Sequence, residues 1–308
     1  GLEILAGVKK VFGTDNHVIV YPSSGTGAWE AALVNTLSPG DKVLMFETGQ
    51  FATLWQELAE KHGLEVEFID GDWRHGVDAG LVEEKLKADS GHSIKAVCMV
   101  HNETSTGVAS NIDTISSRGS LDYRHDDWGV DITVSCSQKG LMLPPGLGFN
   151  AISDKALEMS KSNGFTRSYW DWQAMITNNA SGFFPYTPAT NLLYGLREAL
   201  KMLDEEGLEN VFARHDRMAE ATRRAIQAWG LEVLCQNPDE YSSVLTAVMV
   251  PDGVDADHVR GVILDNFDMS LGTGLGKVKG KVFRIGHLGD FNELTLMGTL
   301  AGVEMGLS

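Results

Sequence analysis

Four short stretches of the 308-residue chain hold residue types able to do chemistry. In Ser23-Ser24-Gly25-Thr26-Gly27-Ala28-Trp29-Glu30 an apolar run passes through small residues into a helix start. Such a turn leaves backbone N–H groups aimed outward with the positive end of the helix dipole behind them, which suits a phosphate. It is not a dinucleotide fingerprint, because Glu30 stands where the third glycine of G-x-G-x-x-G belongs, and it does not fit the G-x-S-x-G elbow. The plain alternative is an ordinary strand–helix turn. Asp113, in Ile112-Asp113-Thr114-Ile115-Ser116-Ser117, ends a short apolar stretch with hydroxyls behind it; an Asx-turn would account for it equally. Lys139 sits in Ser135-Cys136-Ser137-Gln138-Lys139-Gly140, between an apolar strand and the run Leu141-Met142-Leu143-Pro144-Pro145-Gly146. A lone lysine is usually a solvated surface cation, yet one held among small polar and apolar groups can have a lowered pKa and act as a Schiff-base nucleophile. Arg284, inside Val282-Phe283-Arg284-Ile285-Gly286-His287, is either a stem packed along a sheet or a bidentate clamp for a carboxylate.

Taken singly each has a bland reading. In this order, phosphate turn, acid, lysine and late arginine make up the set that pyridoxal phosphate chemistry needs. A second cluster, Gly272-Thr-Gly-Leu-Gly-Lys277, lacks the G-x-x-x-x-G-K-[ST] spacing and reads as a plain loop.

Short apolar runs rich in β-branched residues must position these groups. His17 to Val20, Lys42 to Phe46, Leu64 to Ile69, Lys95 to Val100, Asp131 to Ser135 and Phe149 to Ser153 read as strands. Ala28 to Leu37 and Phe51 to His62 read as helices, the second with Phe51, Leu54, Trp55 and Leu58 on one face. This alternation implies an α/β fold with a mainly parallel sheet flanked by helices. From Thr190 the pattern changes to two long amphipathic helices, Asn191 to Glu205 and Glu209 to Trp229, then strands at Leu231 to Leu234, Ser243 to Val250 and Lys281 to Ile285. The expected division is a large domain over residues 1–205 and a smaller α+β domain over 206–308. One interval does not fit: between Gly107 and Asp113 only Val108 to Ile112 remain, too short for the crossover of a dozen or more residues that joins parallel neighbours. Either these are not such neighbours, or the chain lacks residues there.

With 25 Lys and Arg against 42 Asp and Glu, the formal net charge is −17, and 43% of residues are hydrophobic. This is the composition of an ordinary globular protein with a sizeable core. So negative a surface opposes phosphate backbones and anionic lipid, which argues against nucleic acid and membrane as partners. The longest apolar stretches, such as Val244 to Val250, fall far short of the roughly 20 residues that cross a bilayer, and Gly1 to Lys10 has no secretory core. Cys98, Cys136 and Cys235 are odd in number and never in a C-x-x-C pair, which suggests no disulfide framework, no zinc knuckle and a reducing cytosol.

Over essentially its whole length the chain resembles the class V, fold-type I aminotransferases, most closely the bacterial serine–glyoxylate group. The resemblance is carried by Gly25-Thr-Gly-Ala-Trp-Glu-Ala-Ala-Leu33, Asn102-Glu-Thr-Ser-Thr-Gly107, Trp128-Gly-Val-Asp-Ile-Thr-Val-Ser135, Ser137-Gln-Lys-Gly-Leu-Met-Leu-Pro-Pro-Gly146, Phe184-Pro-Tyr-Thr-Pro188 and Phe283-Arg-Ile-Gly-His-Leu-Gly-Asp290. It implies that Lys139 carries pyridoxal 5'-phosphate and that Asp113 partners its pyridine nitrogen. Thr26, Gly27 and Ala28 would line the phosphate turn, Phe51 would stack on the ring, and Thr104 and Gln138 would hydrogen-bond the cofactor. Tyr186 and Thr187 match a segment that reaches the phosphate of a neighbouring subunit, which implies a homodimer with shared sites. Arg284 matches the arginine that receives the substrate α-carboxylate. Relatives also carry a segment before the start of this chain, a helix and strand between the equivalents of Gly107 and Asp113, and residues beyond Ser308.

The implied reaction moves an amino group from a small L-amino acid to glyoxylate, giving glycine and a 2-oxo acid. Serine is the favoured donor, with aspartate or alanine as alternatives. A lyase of the cysteine desulfurase type would need a mobile nucleophilic cysteine, and Cys235, in Glu232-Val-Leu-Cys235-Gln-Asn-Pro, has no basic neighbour in sequence to lower its pKa. A scaffold without catalysis would not need Lys139, Asp113 and Arg284 together, and a nicotinamide dehydrogenase would need the missing third glycine.

Overall fold

The computed structural model describes residues 1–110 and 123–308, so Asp113 lies outside the described residues. The chain begins with α1 (Leu2–Phe12), β1 (His17–Tyr21), α2 (Gly25–Thr36), β2 (Lys42–Phe46), α3 (Gln50–Lys61), β3 (Glu65–Ile69), α4 (Ala79–Ala88) and β4 (Ile94–Cys98). It continues with β5 (Asn102–Glu103), β6 (Val108–Ala109), β7 (Ile132–Cys136), β8 (Gly148–Ile152), α5 (Asp154–Met159), α6 (Trp172–Asn179), α7 (Thr190–Glu206) and α8 (Leu208–Ala228). Last come β9 (Glu232–Val233), β10 (Leu245–Met249), α9 (Ala256–Phe267), β11 (Gly272–Thr273), β12 (Val282–Gly286) and α10 (Glu293–Leu307). Each strand and helix expected from periodicity is present, with ends displaced by a few residues at most. Among the described residues no helix is long and apolar enough to cross a membrane.

Two compact units emerge, one of Gly1–Val43, Glu57–Val66 and Asp122–Val211, the other of Leu44–Gln56, Glu67–Leu121 and Phe212–Ser308. In the first, β1, β8 and β7 form a three-stranded sheet in that order. β1 from Val18 on and all of β8 are buried, whereas β7 is half-buried along its length; a strand buried on both faces reads as a near-continuous apolar run rather than an alternating one. Val18, Val20, Phe149 and Ala151 join the core beneath α1 and α7, whereas Ile19, Tyr21 and Ile152 join Trp172 and Met175 of α6.

In one respect the sheet differs from the expectation of mainly parallel pairing. The segment 148–152 runs antiparallel to both β1 and β7. The connection 137–147 contains no helix to carry the chain across, so β7 and β8 pair back to back as antiparallel neighbours do.

The register fixes where the chemistry can sit. Gly148 at the start of β8 lies opposite both Tyr21, the last residue of β1, and Cys136, the last residue of β7. The chain that follows β1 and the chain that follows β7 therefore leave the sheet on the same edge, roughly 10 Å apart on either side of Gly148. Open α/β sheets bind ligands outside the carboxyl ends of their strands.

The second unit contains the four-stranded sheet β11–β12–β10–β9, antiparallel at every described pairing. Phe283, Ile285 and Val248 of this sheet pack with Val259 and Ile263 of α9 and Val303 of α10 in one core. The hairpin β5–β6 pairs Glu103 with Val108 around the turn Thr104 to Gly107. A further sheet, β3–β2–β4, is built mostly from residues of this unit.

His287, which follows β12, has no exposed surface. Its Nδ1 lies 3.0 Å from the Ser243 carbonyl, an acceptor only, so that nitrogen carries the proton; Nε2 then accepts from the Thr246 hydroxyl, also at 3.0 Å. Protonation would break the second bond and bury a charge, and burial accordingly lowers the imidazole pKa to about 4. Above pH 6.5 the group is neutral whether the chain is folded or unfolded. Between 6.5 and about 4 the unfolded chain takes up a proton that the folded one refuses, so stability falls with pH over that window by at most roughly 3 kcal/mol from this residue. Denaturant titrations at pH 7 and pH 4.5 should show this loss, and His287→Gln should show a smaller one.

Candidate active site

In the first unit the chain leaves β1 at Tyr21 and enters α2 at Gly25. The capping residue Ser24 has extended backbone angles, its hydroxyl makes no capping bond, and the first turn contains no acid. The leading N–H groups of any helix lack partners within it. Here neither a cap side chain nor a carboxylate of that turn takes them, which leaves a helix start suited to an anion. The turn is closely built: a Cβ on Gly27 would collide with Ser23 Oγ and come within 2.7 Å of the Trp170 ring. Thr26 is exposed, Gly27 half-buried and Ala28 buried. Gly148 lies directly under this helix start, where a Cβ would come within 2.7 Å of the Ser24 carbonyl and 3.1 Å of Ala28 Cβ.

Across Gly148, the segment after β7 is held by Ser137, which has no exposed surface. Its N–H donates to the Leu147 carbonyl at 2.9 Å and its carbonyl accepts from Leu143 N–H at 3.1 Å. Its hydroxyl donates to the Pro144 carbonyl at 2.8 Å and accepts from Leu147 N–H at 3.1 Å. Four bonds thus close 137–147 into a fixed loop, which Leu141 and Leu143 pin to the core. Lys139 is half-buried on this loop, and its carbonyl accepts from Met142 N–H at 2.9 Å, with Met142 in the left-handed region at φ 60°. Beside it, Gln138 Oε1 is buried without a hydrogen-bond donor. Such an orphan acceptor costs free energy unless a ligand supplies the donor. Burial pushes the Cys136 thiol up, with the Lys139 charge pulling the other way.

Tyr186 stacks on Tyr169 at 4.3 Å with the rings 6° apart, and its hydroxyl donates to the Tyr169 carbonyl at 3.1 Å. The Tyr169 hydroxyl in turn donates to the Pro22 carbonyl at 3.2 Å, so Tyr186 is tied to the approach to the helix start. Burial raises the Tyr186 pKa further above its ordinary value. Thr187 is exposed. The structure thus gathers Thr26, Gly27, Ala28, Gln138, Lys139 and Tyr186 within one unit.

Phe51, Thr104 and Arg284 belong to the other unit. Arg284 lies on β12 opposite Gly272, whose lack of a side chain lets the arginine stem cross β11. Its Nε donates to the Thr273 carbonyl at 2.7 Å and its Nη1 to the Thr104 carbonyl at 2.6 Å. Among the described residues Nη2 makes no hydrogen bond. The guanidinium is therefore aimed by two backbone dipoles and keeps its charge for a ligand. Burial lowers its pKa, and the Glu103 carboxylate opposes that shift. The stretch 272–277, read from sequence as a plain loop, holds that arginine through Thr273. It is anchored by Lys277, whose ammonium lies 2.5 Å from the buried carboxylate of Glu47.

Two residues to which the sequence reading gave no role stand out: Ser137, which closes the lysine loop, and Glu103, which binds the start of α3. A lone acid among small hydroxyl-bearing residues, in Asn102-Glu103-Thr104-Ser105-Thr106, was the available signal for Glu103; Ser137 offered none.

The class-V aminotransferase family model matches residues 3–120 and 111–276. The chain belongs to the class-V aminotransferases. A serine–glyoxylate aminotransferase of Methylorubrum extorquens is 47% identical over 323 aligned positions, covering 97% of this chain and 80% of that one. An L-aspartate–glyoxylate aminotransferase of Paracoccus denitrificans is 45% identical, covering 98% and 81%. The crystal structure of an alanine–glyoxylate aminotransferase from Nostoc sp. superimposes with a TM-score of 0.90 at 29% identity, over 99% of this chain and 86% of that one. The α/β fold is that of the fold-type I aminotransferases.

Two expectations about this class-V chain bear on the comparisons. The alignment of 323 positions exceeds the 308 residues available, so the Methylorubrum enzyme has residues without a counterpart here. The family match also comes as two segments that overlap at residues 111–120, next to the interval too short for a crossover. Cys235, the one candidate for a desulfurase-type nucleophile, is buried, with its Sγ 3.5 Å from the carbonyls of Asn237 and Glu240. Burial pushes the thiol to about 12, which keeps it protonated and unreactive at neutral pH.

If Ser137 holds the lysine loop as described, Ser137→Ala leaves the Pro144 carbonyl and the Leu147 N–H buried without that partner. The expected cost is about 2 kcal/mol of stability, read as a lower urea midpoint at unchanged slope.

Proposed function

We propose that this chain is a pyridoxal-phosphate-dependent aminotransferase that moves the amino group of a small L-amino acid, L-serine first, to glyoxylate. The observation that carries the reading is the pairing, on one sheet edge, of an uncapped helix start with a half-buried lysine beside an orphan buried acceptor. The donor set suits the cofactor. N–H groups at the start of α2 fit its phosphate, Gln138 Oε1 awaits a donor, and Lys139 offers an amine. Phe51 and Thr104 complete the set by family resemblance, and Asp113 would hold a proton on the pyridine nitrogen.

When bound, pyridoxal phosphate supplies a carbonyl for the amino group and a sink for the electrons of the C–H bond that breaks. The chain does the rest. Arg284 forks the donor's α-carboxylate and so orients the bonds at Cα. The Lys139 amine takes the proton from Cα and returns it as general base and acid. Tyr186 and Thr187 would serve a neighbouring subunit's phosphate, which makes the working unit a homodimer. The exposed Phe183 and Tyr194 support a covered surface in that region. We assign the cofactor chemistry mainly to residues 1–205 and a smaller domain to 206–308, supported by the sheet and core that the latter builds. A cytoplasmic site of action accords with three free cysteines.

Aspartate is the second reading for the donor, favoured by the Paracoccus relative at 45% identity.

The purified chain incubated with pyridoxal phosphate should be yellow, be bleached by L-serine and recover with glyoxylate; Lys139→Ala should lose this cycle. A chain that takes up no cofactor would sink the reading. Arg284→Lys should raise the KM for L-serine by about tenfold or more with a smaller fall in kcat, because an ammonium cannot fork a carboxylate. Sedimentation of the active enzyme should give a dimer, and full activity at the monomer mass would contradict the shared site.

A further inference from the structure

The turn that carries Thr104 also holds a carboxylate that none of these roles uses. Glu103 has no exposed surface. Its Oε2 accepts from the backbone N–H of Phe51 and of Ala52, both at 3.1 Å. Its Oε1 accepts from the N–H and the hydroxyl of Ser105 at 3.0 and 2.7 Å. The Ser105 oxygen accepts in addition from Gln50 N–H at 2.9 Å. The leading N–H groups of α3 are thus capped by a side chain from another element, and by a charge that the helix dipole favours.

The niche fits this side chain and little else. A Cβ on Gly49 would collide with Glu103 Cγ and Ser105 Oγ and come within 2.6 Å of Glu103 Cδ. The Thr106 hydroxyl donates to the Thr48 carbonyl at 3.2 Å and holds the same turn from its other side. Burial raises the carboxyl pKa, while the bonds from Ser105, Ala52 and Phe51 pull it down. Four donors converge on two oxygens, an arrangement that only the ionised acid satisfies without a wasted proton.

What this carboxylate binds links it to the substrate side. The residue after it, Thr104, supplies the carbonyl that receives Arg284 Nη1, and the Glu103 charge favours the charged guanidinium. The residue whose N–H it accepts, Phe51, is the one expected to lie on the cofactor ring. We infer that Glu103 is a positioning residue, whose buried carboxylate locks the start of α3 to the 103–105 turn and thereby fixes Phe51 relative to Thr104 and Arg284. The inference rests on the reading of Arg284 and Phe51 as substrate and cofactor contacts.

Glu103→Gln keeps the side-chain length and turns one accepting oxygen into a donor that faces donors. In the full chain loaded with pyridoxal phosphate, the KM for L-serine should rise about tenfold while kcat stays within about threefold, since carboxylate alignment rather than proton transfer is lost. Amide hydrogen exchange at Phe51 and Ala52 should accelerate by about tenfold, with the far-UV dichroism of the wild type retained. Ser105→Ala removes two bonds of the same niche while leaving the carboxylate in place, and should shift both quantities in the same direction by less. A folded Glu103→Gln variant with wild-type KM and exchange overturns the inference. If that variant does not fold, a folded Ser105→Ala protein with wild-type KM and exchange overturns it instead. A wild-type chain that neither takes up pyridoxal phosphate nor transfers amino groups would fail before any substitution is made, which separates loss of the underlying reading from loss of this inference.

Discussion

A helix can begin directly over a strand only where the strand offers no side chain, and position 148 meets that condition. Gly148 is flanked by the last residues of β1 and β7 and covered by the Ser24 carbonyl and Ala28. Two residues further on, Asn150 donates to the Ala28 carbonyl at 3.0 Å and fastens the helix from below. The uncapped start of α2 and the loop carrying Lys139 owe their common edge to this single close approach. A larger residue there would lift the helix from the sheet and separate the groups proposed to act together.

Charge is held differently in the second unit. Lys277 is neutralised by the buried Glu47 carboxylate and fastens a loop. Arg284 is aimed by two peptide carbonyls, whose dipoles orient a guanidinium without cancelling its charge. In a chain with a formal net charge of −17, a cation so arranged is a local exception to the average field, and it suits a small anionic ligand.

Much of this was legible in the sequence. β2 matches the expected Lys42 to Phe46 without displacement, because a strand buried on both faces leaves an uninterrupted apolar run. Three of the chemical stretches were visible as departures from such runs: small residues before α2, a lysine between apolar segments, an arginine within a strand. The antiparallel setting of β8 was not visible, since periodicity reports burial and is silent on direction. Helices α1, α4–α6, α9 and α10 were likewise unannounced: α5 and α6 carry few turns of pattern, and in α10 the apolar residues fall on every side rather than along one stripe. The roles of Ser137 and Glu103 escaped because each acts by bonding backbone groups, and backbone groups are the same in every sequence.

The register of the first sheet also bears on how the site comes into being. β7 and β8 are joined by a short loop closed by Ser137, a local structure that costs little chain entropy to form. β1 contributes the helix start, yet its partner residues lie at the far end of that unit's sequence, with His17 opposite Ile152. Pairings of such long range are the slow part of folding. The lysine loop forms early by this logic, and the turn that opens α2 joins it only when the chain has closed over almost its entire first half. Competence to hold an anionic cofactor is then a late event in the life of each molecule, and a marker that long-range assembly is complete.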